Sequence, residues 1–455
     1  MNPSASSKHI FVYIATALAA VGGLLFGYNV GVISGAILFI KEDFHLSSLL
    51  VEMVVSAISL GGLVGAAAGG ILADRFGRRR VIIFTGMLFI AGAILSAAAV
   101  GVTWLISALA LVGIAVGLAS FASPLYISEI SSSAMRGRMV SINQIAMTVG
   151  IVLAFLVDYL LSGVRGWRFM FAFSALPALV LVVGMPFMPE SPRWLIQHGL
   201  AAKAREALLR LRDSGDVERE LTEIQGSLDG TQGNWIDIFS PSCRPVLIIG
   251  VLLAAFQQLT GINTVMYYAP MIFEYAGFRS AATAILATLL VGITNVIMTM
   301  VARALLDRIG RRPLLLCSLA GMIAGLALLG AAFSIPSLAA SLGWVALASL
   351  VLYVGAFALG LGPVFWLLIA EIYPLRIRGL AMGTVTFINW GANLLMAMTF
   401  LTMVQYLGKS WTFWFYGVIS IAAWIFAYYR VPETKGKSLE EIEAHWLEGR
   451  HPRSM

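Results

Sequence analysis

Twelve apolar runs, each long enough to cross a lipid bilayer, fix what this chain can become. They lie at roughly 10–40, 50–73, 81–101, 104–127, 140–162, 167–188, 245–274, 281–305, 313–334, 343–368, 380–406 and 411–430. A membrane span needs about 20 largely apolar residues. Backbone groups in hydrocarbon must be paired within the segment, so spans of this length are helices. The alternating apolar-polar pattern of barrel strands is absent from the sequence. Composition agrees: 59% of the residues are hydrophobic and 12% charged, about half the charge of a soluble domain.

Six runs precede and six follow one long polar segment, 190–244. The charged turns between runs repeat across that divide. Asp74-Arg75-Phe76-Gly77-Arg78-Arg79 returns as Asp307-Arg308-Ile309-Gly310-Arg311-Arg312. Glu129-Ile130 with Arg136-Gly137 returns as Glu371-Ile372 with Arg378-Gly379, and Pro189-Glu190-Ser191 as Pro432-Glu433-Thr434. Three motifs in the same order make the chain a duplicated six-helix unit.

Basic residues collect in cytoplasmic loops. With both termini cytoplasmic, all of the 30 lysines and arginines fall inside except Lys41, Arg165, Arg168, Arg279 and Lys409. The same topology puts every duplicated charge motif on the cytoplasmic face. It also accounts for the net charge of +7 without a nucleic-acid partner. The first run is long and lacks a small-residue cleavage pattern, so no cleaved leader is expected. The two cysteines, Cys243 and Cys317, imply no disulfide framework, and the five histidines lie in loops or tails. No metal or cofactor is expected.

Clustered acid–base pairs on one face suit a switch. When two halves close there, carboxylates and guanidinium groups leave water together and must be paired; when the halves part, water takes them back. At these residues the chain resembles the sugar porter family of the major facilitator superfamily, over about Gly23 to Ile442. The carriers are Asp74 to Arg79, Pro124-Leu125-Tyr126-Ile127-Ser128-Glu129, Pro189 to Trp194, Gln257-Gln258-Leu259-Thr260-Gly261-Ile262-Asn263, Gly362-Pro363-Val364-Phe365-Trp366 and Pro432-Glu433-Thr434-Lys435-Gly436. The pattern is nearest to the bacterial galactose–proton and xylose–proton symporters and the glucose facilitators of that family. The resemblance implies a cytoplasmic gate formed by Asp74, Arg78, Glu129, Arg136, Glu190, Asp307, Arg311, Glu371 and Arg378.

A neutral sugar needs uncharged groups that both donate and accept, and amides do so; an indole offers a flat face for the C–H side of the ring. Mid-helix amides are few here: Gln144, Gln257, Gln258, Asn263, Asn295, Asn389 and Asn393, with Trp366 and Trp390 nearby. A lone membrane amide usually bonds to a neighbouring helix. These positions, Asn389 least firmly, match the contacts the resemblance implies for a sugar. Gly261 permits local unwinding of the seventh run, and Gly362-Pro363 predicts a break in the tenth. Tyr267 and Tyr268 are expected at an extracellular lid.

The pattern departs from the family where coupling is concerned. The resemblance implies an Asp in the first helix and an Arg in the fourth for proton symport. Here those positions hold Asn29 and Leu109, and neither titrates. Asp158, Glu274, Asp43 and Glu52 fall towards the outer ends of the spans and offer no midplane replacement. Arg303 is expected to reach the inner face or pair with Asp307.

The expected architecture is all-α and integral to the membrane: a six-helix bundle at 1–189, a cytoplasmic helical linker at 190–244, a second bundle at 245–430 and a cytoplasmic tail at 431–455. Two pseudo-symmetric bundles of this kind are the major facilitator fold, with a substrate site between the halves and alternating access. In the tail, Leu439, Ile442 and Trp446 share one helix face suited to docking. The expected function is passage of a monosaccharide (a hexose such as glucose or galactose, or xylose) across the cytoplasmic membrane by facilitated diffusion, as a monomer. Proton-coupled symport, with the proton as a second partner, is the alternative. A non-transporting sugar sensor is more distant. An enzyme is not expected, for want of a nucleophile–base pair or metal cluster in the spans.

Overall fold

The computed structural model describes residues 3–132, 135–228, 235–240, 243–338, 341–374, 376–437 and 441–442. Among these residues every regular element is helical, and twelve spans are long and apolar enough to cross a membrane.

The first half comprises α1 (Pro3–Asp43), α2 (Ser48–Phe76), α3 (Arg78–Ala97), α4 (Val102–Ile130), α5 (Arg136–Ser162), α6 (Trp167–Ala172) and α7 (Ala175–Gly184). The sixth run, read as one helix, is therefore two helices broken at Phe173-Ser174, closing in a 3-10 turn at Met185–Phe187. Four short helices follow: α8 (Pro192–Gln197), α9 (Ala201–Leu211), α10 (Ser214–Leu228) and α11 (Trp235–Ile238). The second half comprises α12 (Arg244–Leu259), α13 (Ile262–Tyr275), α14 (Ala281–Ile309), α15 (Arg311–Ser334), α16 (Leu342–Leu359), α17 (Leu361–Ile372), α18 (Arg378–Leu407) and α19 (Lys409–Arg430).

Two spans of the second half are also broken. The seventh parts between α12 and α13, where Gly261 takes φ 92°, a left-handed conformation that only glycine adopts without cost. The tenth parts at Gly360, with φ −138° and ψ −74°, rather than at Gly362-Pro363. Pro363 instead sits in the first turn of α17, where its missing N–H has no helical partner to lose. Packing leaves no room for a side chain there: a β-carbon on Gly360 would lie 2.4 Å from that of Ser318.

The described residues divide into two compact units. One holds Met1–Val32, Leu60–Ala154 and Arg168–Thr231; the other holds Ile33–Ser59, Phe155–Trp167 and Gln232–Met455. The second unit thus contains the ends of α1, α2 and α5 that point away from the duplicated charge motifs. In the first, α2 and α4 pack backbone to backbone, and a β-carbon on Gly61 would sit 2.0 Å from the Ala110 carbonyl. Large apolar side chains remain exposed along the spans, among them Ile71, Leu160, Phe169 and Trp411. Such a surface suits hydrocarbon, not water.

The short helices α8 to α10 bury Trp194, Leu195, Ala204, Ala207, Leu208, Val217 and Leu221 against one another. They are fixed to the first unit by Trp194 Nε1 donating to the Asp74 carbonyl at 2.7 Å and Arg212 donating to the Ile130 carbonyl at 2.9 Å. Near α11, Asp237 pairs with Arg376 at 2.8 Å. Ile442 of the tail is buried; Leu439 and Trp446 lie outside the described residues.

Candidate functional site

Four amides of the second half, Gln257, Gln258, Asn263 and Asn389, form one connected network where the broken seventh span meets α17 and α18. Asn389 is its hub. Its Nδ2 donates to Gln257 Oε1 at 2.7 Å and to the Ala254 carbonyl at 3.1 Å, and its Oδ1 accepts from Gln258 Nε2 at 3.1 Å. Asn263 Nδ2 donates to Gln258 Oε1 at 2.9 Å. Gln257 Nε2 reaches the carbonyls of Leu361 and Gly362 at 3.4 Å. Gln257, Gln258 and Asn389 are buried and Asn263 is half-buried. Unwinding at Gly261 leaves Gln257 and Gln258 on the last turn of α12 and Asn263 on the first turn of α13.

One helical turn along α18, Asn393 donates to Ser59 Oγ and to the Tyr267 hydroxyl, each at 3.3 Å, while its own Oδ1 has no partner. A buried amide oxygen without a donor is costly, so this atom is free to receive a ligand hydroxyl. Trp390 is buried, whereas Trp366 is 38% exposed and stands edge-on to Phe365. Asn295 is buried on α14. Tyr267 and Tyr268 are both wholly buried, and the Tyr268 hydroxyl donates to the Ala397 carbonyl at 3.0 Å. In the first unit, Gln144 is half-buried on α5.

At the charged ends, each half builds the same cluster. Arg78 Nε lies 2.9 Å from Glu129 Oε2, with Ser191 Oγ donating to the same carboxylate. In the second half Arg311 Nη2 lies 2.8 Å from Glu371 Oε1, with Thr434 Oγ1 donating. Glu190 accepts from the backbone N–H of Arg79 at 3.0 Å and Glu433 from those of Arg311 and Arg312 at 3.0 Å, so each caps the helix that follows a glycine turn. Gly77 and Gly310 take φ 94° and 102°, and a β-carbon would come within 2.5 Å of Glu190 Oε2 or 2.7 Å of Glu433 Oε2. Burial lifts the Glu190 carboxyl above the usual range, against the pull of the Arg79 and Ser191 N–H groups and the Arg79 and Arg78 charges.

Asp74 is mostly exposed and pairs with Arg78 at 3.2 Å. Arg136 and Arg378 hydrogen-bond to main chain, at the carbonyls of Ser128 and Tyr373 respectively. Arg303 is exposed, and the side chain of Asp307 lies outside the described residues.

The family description "Sugar (and other) transporter" matches residues 15–446. The chain belongs to this family. It is similar to the galactose-proton symporter of Escherichia coli K12, 40% identical over 452 residues covering 99% of this chain and 97% of that protein. The glucose transporter GlcP of Staphylococcus epidermidis is 38% identical over 431 residues, covering 95% and 96%. The inward-open xylose transporter XylE from E. coli superposes with TM-score 0.82 at 34% identity, covering 96% of this chain and all of that one.

Within this sugar transporter, Asn29 is buried and spends its Nδ2 on the Leu25 carbonyl of its own helix at 2.8 Å; Leu109 is wholly buried. No charge stands at either position. Asp158, set aside in the sequence as too far out, is also wholly buried. Its Oδ2 accepts from Gly35 N at 3.2 Å and its Oδ1 has no partner. Sequence reasoning missed Glu433, Ser191 and Thr434 as working members of the charged clusters. The repeat of Pro-Glu-Ser as Pro-Glu-Thr was the signal that could have found them. It also missed Ser59, for which no spacing signal exists.

Proposed function

We propose that the protein carries a neutral monosaccharide, a hexose such as glucose or galactose or the pentose xylose, across the cytoplasmic membrane by alternating access, as a monomer with both termini inside. The observation that carries this reading is the buried amide network around Asn389, with the partnerless Asn393 oxygen and an exposed indole at Trp366 beside the break in α16–α17. Amides that satisfy one another can exchange those bonds for sugar hydroxyls without leaving a buried charge. Gln144, Asn295 and Trp390 complete the proposed contacts. Tyr267 and Tyr268 act as the outer lid, and the paired clusters at Arg78–Glu129 and Arg311–Glu371 as the inner gate. Domain limits at 189, 244 and 430 follow the duplication.

With Asn29 and Leu109 in place of a titratable pair, facilitated diffusion is the mode that follows. Proton symport is a second reading. The chain's similarity to the galactose-proton symporter favours it, and so does Asp158, a buried carboxyl with one oxygen free. Uptake of glucose, galactose and xylose into proteoliposomes, with and without an imposed proton gradient, decides between them. Equilibration without accumulation is expected; accumulation that a protonophore collapses, and that Asp158→Asn abolishes, would establish the second reading. Replacing Gln257 and Gln258 together by Ala removes about four hydrogen bonds to a sugar. At ~1 kcal/mol each that is a fall in uptake of roughly a thousandfold. Unchanged uptake would remove the amides from the site.

A further inference from the structure

Glu52 is a buried carboxylate in the first turns of α2, 1% exposed, and it forms no ion pair among the described residues. Its partner is a single residue. Oε1 accepts from the backbone N–H of Thr402 at 2.7 Å and Oε2 from the Thr402 hydroxyl at 2.7 Å. Thr402 lies inside α18, so the carboxylate is in contact with the helix backbone itself. Charge-assisted bonds of this length are about twice as strong as neutral ones. Seven residues further along α2, Ser59 meets Asn393, also on α18. Two contacts therefore run along one seam between the second helix of the first half and the eleventh span of the second.

That seam joins the two copies of the duplicated unit at the end opposite the charged clusters. The ends of α1, α2 and α5 there share one compact unit with the second half. Alternation between two faces requires the seam to part, and the carboxylate then exchanges Thr402 for water. Glu52 has no counterpart in the other copy: α14, which answers to α2 in the repeat, begins Ala281-Ala282-Thr283-Ala284-Ile285 with no acidic residue. A structural carboxylate common to both copies would be expected to recur, as Glu129, Glu190, Glu371 and Glu433 do.

We propose that Glu52 and Thr402 form the outer latch, a positioning pair that favours closure of the outer end and sets how readily the site opens outwards. This rests on the reading of alternating access, but its test does not depend on sugar movement. The seam is tight and specific: one side chain supplies the acceptor pair, and one residue supplies both donors. Replacing the carboxylate by an amide removes the charge from both bonds and one of the two acceptor oxygens, whereas loss of the hydroxyl removes one donor.

Ser56, buried one turn beyond Glu52, serves as the reporter once replaced by cysteine, in the full chain carrying Cys243→Ser and Cys317→Ser. A membrane-impermeant maleimide is applied to intact cells and the labelling rate followed. Glu52→Gln should speed labelling about tenfold, Thr402→Val about threefold, and Thr402→Ser, which keeps both donors, not at all. The ordering separates a latch from general loosening, which would not distinguish Val from Ser. Should Glu52→Gln fail to fold, Thr402→Val against Thr402→Ser decides alone. Equal rates for Val, Ser and the parent would overturn the latch. A parent chain that labels slowly but moves no sugar would instead defeat the transport reading and leave the latch standing.

Discussion

In the first half the Arg78–Glu129 pair leaves only 5% and 7% of its side chains exposed; in the second the Arg311–Glu371 pair leaves 14% and 18%. The arginine–carboxylate pair and the hydroxyl donor are otherwise matched atom for atom, whereas Glu433 accepts from two helix N–H groups and Glu190 from one. Mid-membrane the halves differ in kind. Counting equally from Arg136 and Arg378, the α18 residues Asn389, Trp390 and Asn393 correspond in α5 to Met147, Thr148 and Ile151. Duplication has kept the charged clusters in both copies and the amide network around Asn389 in one. On the proposed reading, clusters that gate one face must act on both bundles, whereas most of the hydrogen-bonding groups for a sugar can come from one.

The deepest test of this comparison removes each guanidinium. Arg78→Ala leaves Glu129 buried and unpaired, which costs about 3–5 kcal/mol. Arg311→Ala, in the wetter cluster, should cost roughly half as much. Unfolding of the detergent-solubilised protein measures both, and equal losses would mean that the difference in exposure carries no energy.

The glycine turns should respond alike. Gly77→Ala and Gly310→Ala each force a side chain into a positive-φ conformation and against a glutamate oxygen, at about 1–3 kcal/mol. The two Tm shifts should agree within error. Unequal shifts would show that the cap geometry is less equivalent than its hydrogen bonds suggest.

Hydroxyl removal is smaller again. Ser191→Ala and Thr434→Ala each take one donor from a carboxylate that keeps its arginine, worth about 1–2 kcal/mol. The expected signature is a modest loss of stability together with faster opening of the inner face, read by thiol labelling of a cysteine placed near the cluster.

What was legible in the sequence follows the same division. Spans and charged motifs are local, so length, charge and repetition reveal them. Gln257, Gln258 and Asn263 stand out because amides are rare in apolar runs. Asn389, the least firm of the sugar candidates, turns out to hold that group together, since its importance comes from pairing with residues over a hundred positions away. The tenth-span break falls at Gly360, where Ser318 leaves no room for a side chain, and Pro363 misleads because a proline in a first turn breaks nothing. Asp158 and Glu52 read as peripheral by count. Burial, which no linear count reports, makes them notable.

The smallest effect concerns titration at the Glu190 cap. Burial outweighs the amide bonds at Glu190, so the folded chain holds that proton to a higher pH than the unfolded chain does. In the window just above the ordinary glutamate range, the folded state therefore binds more protons, and stability falls as pH rises through it. Glu190→Gln is neutral throughout and should flatten this slope. Tm measured across that acid window, for the parent and the variant, reads the difference directly. A slope that survives Glu190→Gln would place the titrating group elsewhere.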